Sequence, residues 1–271
     1  ARKINRPVQL RITREEEFYI GSARAGMQGW IKLGLKPNGE VGAVDTVIVG
    51  DAGSGGGASG SSAAEHITLI LQPAAMRFRG VSIYTNTTPR GAQRGPGQNE
   101  MAAVLAPIYD KAIRQAGLDR MEVRRLNAPV SEDKIGPRRG DLTRAFFPQA
   151  IQMGADMFNW NERSQRSGQR NGSKVTGIGI GMGYHSAGAS GYDGLCRIGT
   201  DGKLYLHTGV GNLGTYSYAA VVRTAAEVLK VDWDNCEIVR GNTDLHLPYS
   251  TYQAGSNTMF TEVRTNYVAA Q

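Results

Sequence analysis

Residues 84–100 read YTNTTPRGAQRGPGQNE. Thr85, Asn86, Thr87 and Thr88, the cations Arg90 and Arg94, and the breakers Pro89, Gly91, Gly95, Pro96 and Gly97 exclude this stretch from a hydrophobic core. An apolar run, Phe78 to Tyr84, leads into it, and an Ala-rich pattern with helical spacing begins at about Gln98. It therefore reads as a strand-to-helix turn. Glycines let backbone amides approach a ligand, and a helix start offers unpaired N–H donors with partial positive charge, so such a turn suits an anion or a metal-oxo group. Arg94 would add a forked cation. A plain chain reversal uses the same residue types, so the turn alone leaves both readings open.

Working outward, Gln98 to Ala116 carries Met101, Val104, Leu105, Ile108, Ala112 and Ile113 at helical spacing, ends at Gly117, and contains Pro107, which predicts a kink. Met121 to Leu126 predicts a short second helix, and Asp141 to Asn159 contains a third. Upstream, Gly29 to Val49 predicts a hairpin around Pro37-Asn38-Gly39, and Val8, Leu10 and Ile12 predict a strand opened by Pro7. Ala1 to Arg6 reads as a helix end. Asp51 to Ser62, DAGSGGGASGSS, reads either as a flexible linker or as a loop needing close backbone approach.

The polar stretch Asn161 to Ser173 is the expected internal boundary. Beyond it, Val175 to Met182 alternates glycine with apolar residues and predicts a strand. Leu195–Ile198 and Lys203–His207 predict a hairpin around Asp201-Gly202. Tyr218 to Lys230 is an amphipathic helix, Cys236 to Val239 a strand, and a last helix starts near Asn257. Thr208–Tyr218 (TGVGNLGTYSY) and Thr251–Thr258 (TYQAGSNT) are further polar turns leading into helices. Helix starts converging on an anion and ordinary N-caps are both consistent with them.

Composition narrows the function. The chain has 271 residues, 40% hydrophobic, enough to bury a core as one large domain or two small ones. The net charge is +7, but the basic residues are scattered pairs without aromatic interleaving, which argues against nucleic-acid binding and suits acidic partner subunits. With only Cys196 and Cys236, neither a disulfide framework nor an iron-sulfur cluster is expected from this chain alone. No apolar run is long enough to span a membrane, and a cytoplasmic compartment is expected, with export inside a larger complex as the alternative. His66, His185, His207 and His246 are isolated and predict no metal site. In GIGIGMG (177–183) the glycines recur at period two along a strand and open no helix, which excludes a dinucleotide-binding loop.

The turn at 84–100 resembles the TAFRG(F/Y)G..Q loop of molybdenum hydroxylases of the xanthine dehydrogenase and aldehyde oxidase family. Further segments follow that family in order: RPVQLRITREEEF (6–18), GWIKLGLKPNGEVGAVD (29–45), EVRRLN (122–127), GYHSAG (183–188), DGKLYLHTGVGNLG (201–214), AAEVLKV (225–231) and GNTD (241–244). The resemblance implies an α+β fold with mixed sheets and flanking helices in two lobes, residues 1–160 and 174–271, within a molybdopterin-binding large subunit. It places Arg94, Gly95, Pro96 and Gln98 toward molybdenum and substrate, with Arg94 in the catalytic role. It places Gly211, Asn212, Gly214 and Thr215 in a cofactor-binding turn, and Ser256, Asn257 and Thr258 at the pterin dinucleotide. Gln93 and Pro96 stand where the family has aromatic residues, and Thr215 stands where it has a glutamine.

The same resemblance implies molybdenum in molybdopterin, in the cytosine dinucleotide form. It implies [2Fe-2S] and FAD on partner subunits and hydroxylation of an aldehyde or N-heterocyclic substrate with water-derived oxygen. The family's GGGFGGK loop is expected before Ala1 and its catalytic glutamate after Gln271, so activity is expected only together with the remaining part of the subunit. A reductive dehydroxylase resembling 4-hydroxybenzoyl-CoA reductase and a non-catalytic structural half of such a complex are the alternatives.

Overall fold

A computed structural model describes residues 3–6, 8–57, 60–136, 140–185 and 191–271. The expected helix end at Ala1 and Arg2, the strand start at Pro7 and the last residues of GYHSAG lie outside these. The chain forms two compact units, Ala1–Tyr184 and His185–Gln271. The polar stretch 161–173 does not divide them, because it completes a helix and enters a small hairpin of the first unit.

The first unit begins with α1 (Arg14–Ile20), where Thr13 Oγ1 accepts from Glu16 N–H at 3.1 Å and Glu16 Oε2 accepts from Thr13 N–H at 2.7 Å. This capping box explains why TREEEF is helical and not part of a strand. The strand expected at Val8–Ile12 is not formed either; Leu10 is 91% exposed.

The expected hairpin is β1 (Met27–Leu35) and β2 (Val41–Asp51), paired antiparallel. α2 (Gly60–Ile70) then crosses over, so β3 (Ala75–Ile83) pairs parallel to β2. α3 (Gln98–Gln115) and α4 (Arg120–Asn127) follow. Val41, Val44 and Ile48 on one sheet face pack with Ile67 and Leu71 on and after α2 and with Met101, Leu105 and Tyr109 of α3. Buried Asn127 ties α4 to the hairpin: its Oδ1 accepts from Val41 N–H at 2.7 Å and its Nδ2 donates to Gly39 C=O at 2.9 Å. β4 (Lys134–Ile135) and β5 (Gly140–Asp141), α5 (Phe147–Phe158), α6 (Trp160–Gln165), β6 (Arg170–Asn171) and β7 (Lys174–Val175) complete the unit.

Residues 176–183 lie outside any strand, contrary to the alternating pattern. Added Cβ atoms at Gly177, Gly179, Gly181 and Gly183 would meet nothing within 4 Å. The close-packed neighbour that the glycines suggested is therefore not among the described residues.

The second unit pairs β8 (Leu195–Ile198) antiparallel with β9 (Leu204–His207), crosses over through α7 (Ser217–Leu229), and adds β10 (Cys236–Val239) parallel to β9. α8 (Asn257–Ala270) follows. Leu204, Leu206, Val221, Val222, Ala225 and Ala226 form its core.

Both units thus repeat one order: hairpin, crossover helix, parallel strand, helix. The order assigns each glycine-rich stretch a place. DAGSGGG precedes the crossover helix of the first unit as TGVGNLG does in the second. TPRGAQRGPG precedes the last helix of one repeat as TYQAGS does in the other.

Candidate functional site

In the first unit the two glycine-rich loops form a joint. Asp51, the last residue of β2, accepts from Gly53 N–H (2.8 Å) and Thr85 Oγ1 (2.6 Å) on one oxygen. Its other oxygen accepts from Arg90 Nε (3.0 Å) and pairs with Arg90 Nη2 (2.9 Å). These donors, led by Thr85 and then the Gly53 amide, hold the carboxyl down at about 2. Main-chain bonds reinforce it: Thr85 N–H to Gly53 C=O, 3.0 Å, Ser54 N–H to Thr87 C=O, 3.1 Å, and Gly57 N–H to Arg90 C=O, 3.2 Å. A Cβ at Gly56 would stand 1.8 Å from Arg90 O, and one at Gly53 2.1 Å from Thr88 O. Asp51–Gly57 is therefore a packed loop, which overturns the linker reading. Only glycine allows this approach.

From this joint the chain runs to Arg94, at φ 20, and to Gly95 and Gly97 in the left-handed region. The Arg94 carbonyl accepts from Arg24 Nη2 and Asn99 Nδ2, each at 3.0 Å. Arg24 also pairs with Glu100 at 3.2 Å, and Glu100 accepts from Gly97 N–H at 2.8 Å. The backbone of the turn is thus fixed while the Arg94 side chain stays exposed. Gly95 and Pro96 are half-buried; Gln98 is buried and its Oε1 has no partner among the described residues.

In the second unit Gly209 lies against the 248–250 segment: its added Cβ would meet Pro248 O and Ser250 Oγ, both at 2.7 Å. Gly211 lies against Gln253, whose Oε1 would be 3.2 Å from an added Cβ. The turn after β9 and the segment entering α8 are therefore neighbours. Tyr192 fastens the second to the unit, its hydroxyl 3.3 Å from Thr258 Oγ1 and its backbone bridging Ser250.

Both helices here open from left-handed residues, Tyr216 (φ 52) and Ser256 (φ 55), and neither makes a side-chain capping bond. First-turn amides at such ends need partners other than a cap side chain. The expected residues do not all point outward. Asn212 Oδ1 accepts from Gly214 N–H at 2.8 Å and from Tyr216 N–H at 3.2 Å. Thr215 Oγ1 donates to Ser217 Oγ at 3.3 Å. Asn257 Oδ1 accepts from Thr261 Oγ1 at 2.9 Å. Asn212 thus shapes the turn from within, and uncapped helix starts beside exposed glycines present the donors.

Sequence reasoning missed the groups that hold these turns. Arg24, Tyr192 and Glu262 carry no motif, Asp51 and Thr208 are only the first residues of glycine-rich stretches, and each has a partner 34 to 76 residues away. The one available signal was an aspartate between a β-branched strand and a glycine run.

Each unit ends its parallel strands in glycine-rich turns that lead into helices. A molybdopterin cofactor-binding domain family matches residues 1–128 and a second family of the same description matches residues 153–271. The chain belongs to this molybdopterin cofactor-binding group, within the molybdenum hydroxylase family.

Among similar proteins, the aldehyde oxidoreductase molybdenum-binding subunit PaoC of Escherichia coli (strain K12) is 27% identical over 95% of this chain and 35% of its own length. The probable hypoxanthine oxidase XdhD of the same strain is 25% identical over 94% and 28%. This chain thus spans about a third of these relatives. The aldehyde oxidoreductase of Desulfovibrio desulfuricans ATCC 27774 shares the fold with a TM-score of 0.80 at 20% identity, over 94% of this chain and 29% of that one. Quinoline 2-oxidoreductase of Pseudomonas putida 86 gives 0.76 at 19% identity, over 98% and 37%.

Proposed function

We propose that this chain supplies pterin-facing turns and a substrate-facing arginine to a molybdenum-dependent hydroxylase, which oxidises an aldehyde or N-heterocyclic substrate with water-derived oxygen. The observation that carries this is the pair of uncapped helix starts at Tyr216 and Ser256, set beside the exposed turn 211–215. Amide donors and the positive helix end favour an anionic group there, and the donor set fits a pterin dinucleotide phosphate. The partnerless Oε1 of Gln98 would take a donor from the bound group or its substrate.

When bound, the cofactor supplies the redox chemistry. Arg94 anchors or polarises the substrate carbonyl, its backbone held by Arg24 and Asn99 so that only the side chain adapts. Gly211, Ser256 and Thr258 hold the cofactor through backbone and hydroxyl groups, and Asn212, Gly214 and Thr215 set the shape of the turn. The names of PaoC and XdhD favour an aldehyde or a purine as substrate. The cytosine dinucleotide form, electron transfer through [2Fe-2S] and FAD partners, and a cytoplasmic location belong to the same proposal. The test is Arg94→Ala in the assembled complex: turnover should fall by about a hundredfold or more with cofactor content unchanged. Full turnover would remove Arg94 from this role.

A second reading, a structural half without catalytic function, draws on Thr215 and Gly214, whose donors are engaged within the turn. Metal analysis of the purified complex separates the two: absence of molybdenum favours the structural role.

A further inference from the structure

Glu262 is 1% exposed, in the middle of α8, and no cation faces it among its described partners. Its Oε1 accepts a short hydrogen bond from Thr208 Oγ1, and its Oε2 has no partner among the described residues. One turn further on in α8 lies buried Asn266. The Asn266 amide is oriented by Nδ2 donating to the Glu262 carbonyl at 2.9 Å, which leaves its Oδ1 without a donor. A buried carboxyl with an unfilled oxygen costs stability, so chemistry other than core packing accounts for it.

Thr208 supplies the connection. It follows β9 and is fully buried, and its N–H donates to Val239 C=O of β10 at 3.0 Å. Its hydroxyl accepts from Val210 N–H at 3.1 Å and gives its single proton to Glu262. A hydroxyl has one proton, and the Val210 amide occupies its acceptor side, so the carboxyl fixes the rotamer of Thr208. The relay Val210 N–H, Thr208 hydroxyl, Glu262 carboxyl spans from the first residue before Gly211 to the helix that starts at Ser256.

We propose that Glu262 is a positioning residue for the Gly211–Thr215 turn, acting through Thr208 to lock that turn to α8, so that both helix starts in this unit meet the cofactor as one rigid surface. The cofactor part of this rests on the function proposed above; the locking itself does not. An apolar residue at 262 would pack, but could not take the Thr208 proton. Glutamine could, with its amide free to donate to Asn266 Oδ1.

The test is hydrogen exchange of the 210–216 amides in the assembled complex, together with molybdenum content per complex. Thr208→Val keeps volume and removes both bonds, and Glu262→Ala removes the acceptor. Each should speed exchange at 210–216 by roughly tenfold or more, leave the β9 and α7 core amides unchanged, and lower molybdenum content. Glu262→Gln should restore both readouts. Unchanged exchange at 210–216 in Thr208→Val overturns the proposal, whether or not Glu262→Ala folds. Faster exchange with full molybdenum content leaves the locking in place and overturns the assignment of this turn to the cofactor.

Discussion

Arg90 grips Asp51 through Nε at 3.0 Å and Nη2 at 2.9 Å, joining the end of β2 to the loop that carries Arg94. The pair stands four residues before Arg94 in a segment whose course would otherwise be set by threonines and glycines. Its effect is to turn two loops of weak intrinsic structure into one body.

Asp51→Asn should loosen this joint. The amide oxygen can keep both Thr85 and Gly53, while the NH2 replaces the charged oxygen that holds Arg90. Turnover should fall by roughly tenfold as Arg94 loses its placement, and proteolytic cleavage within 52–57 should quicken. Because the carboxyl sits near 2, below its ordinary 3.8, its contribution is present above 3.8 and is lost only as pH falls toward 2. Cleavage of the wild-type loop should therefore not change with pH in the neutral range.

Gly56→Ala should separate the loops. Its Cβ would fall 1.8 Å from a backbone oxygen, whereas one at Gly55 would meet nothing within 4 Å. Gly56→Ala should cost roughly 1 to 3 kcal/mol in denaturant unfolding, and Gly55→Ala should be near neutral. Equal effects would contradict the packed-loop account.

His66 makes a pH prediction. Both ring nitrogens are buried without partners among the described residues, and burial lowers its pKa from 6.5 to about 4. The unfolded chain therefore takes up a proton that the folded one refuses. Stability should fall as pH drops from 6.5 toward 4, by on the order of 3 kcal/mol, and then level off. His66→Leu should flatten that slope in denaturation midpoints measured across the interval.

Glu262 predicts the opposite slope. Burial raises its pKa from 4.5 to about 6, so the folded state binds the proton more tightly. The stabilisation is complete below 4.5 and lost as pH rises through 6. Glu262→Gln should remove this dependence and stabilise the second unit by about 2 kcal/mol at neutral pH. Identical pH curves for variant and wild type would contradict it.

These dependences show where the sequence was legible. Pro37-Asn38-Gly39 between alternating strands and the periodic run from Gln98 carry local signals, and both form as expected. The alternation at Val8, Leu10 and Ile12 forms no strand and runs directly into the capping box at Thr13. Asp51–Gly57 was ambiguous because its information lies in absent side chains; glycine reads as freedom until the backbone it must approach is known. His66–Leu71 is too short an apolar run to tell helix from strand, and the crossover it forms settles β3 as parallel. Arg94, Gly95 and Ser256 are picked out by turn chemistry and family likeness, and their roles belong to the proposed function. Glu262 and Asp51 act over distances that no local pattern encodes.

These turns are proposed to hold a negatively charged pterin cofactor. A structure of the assembled, cofactor-loaded complex tests this proposal most directly. The first-turn amides of α7 and α8 and the Gly211 backbone should lie within hydrogen-bonding distance of the cofactor, with Arg94 facing the substrate side. Those amides directed only at solvent or protein, with the cofactor held elsewhere, would contradict it.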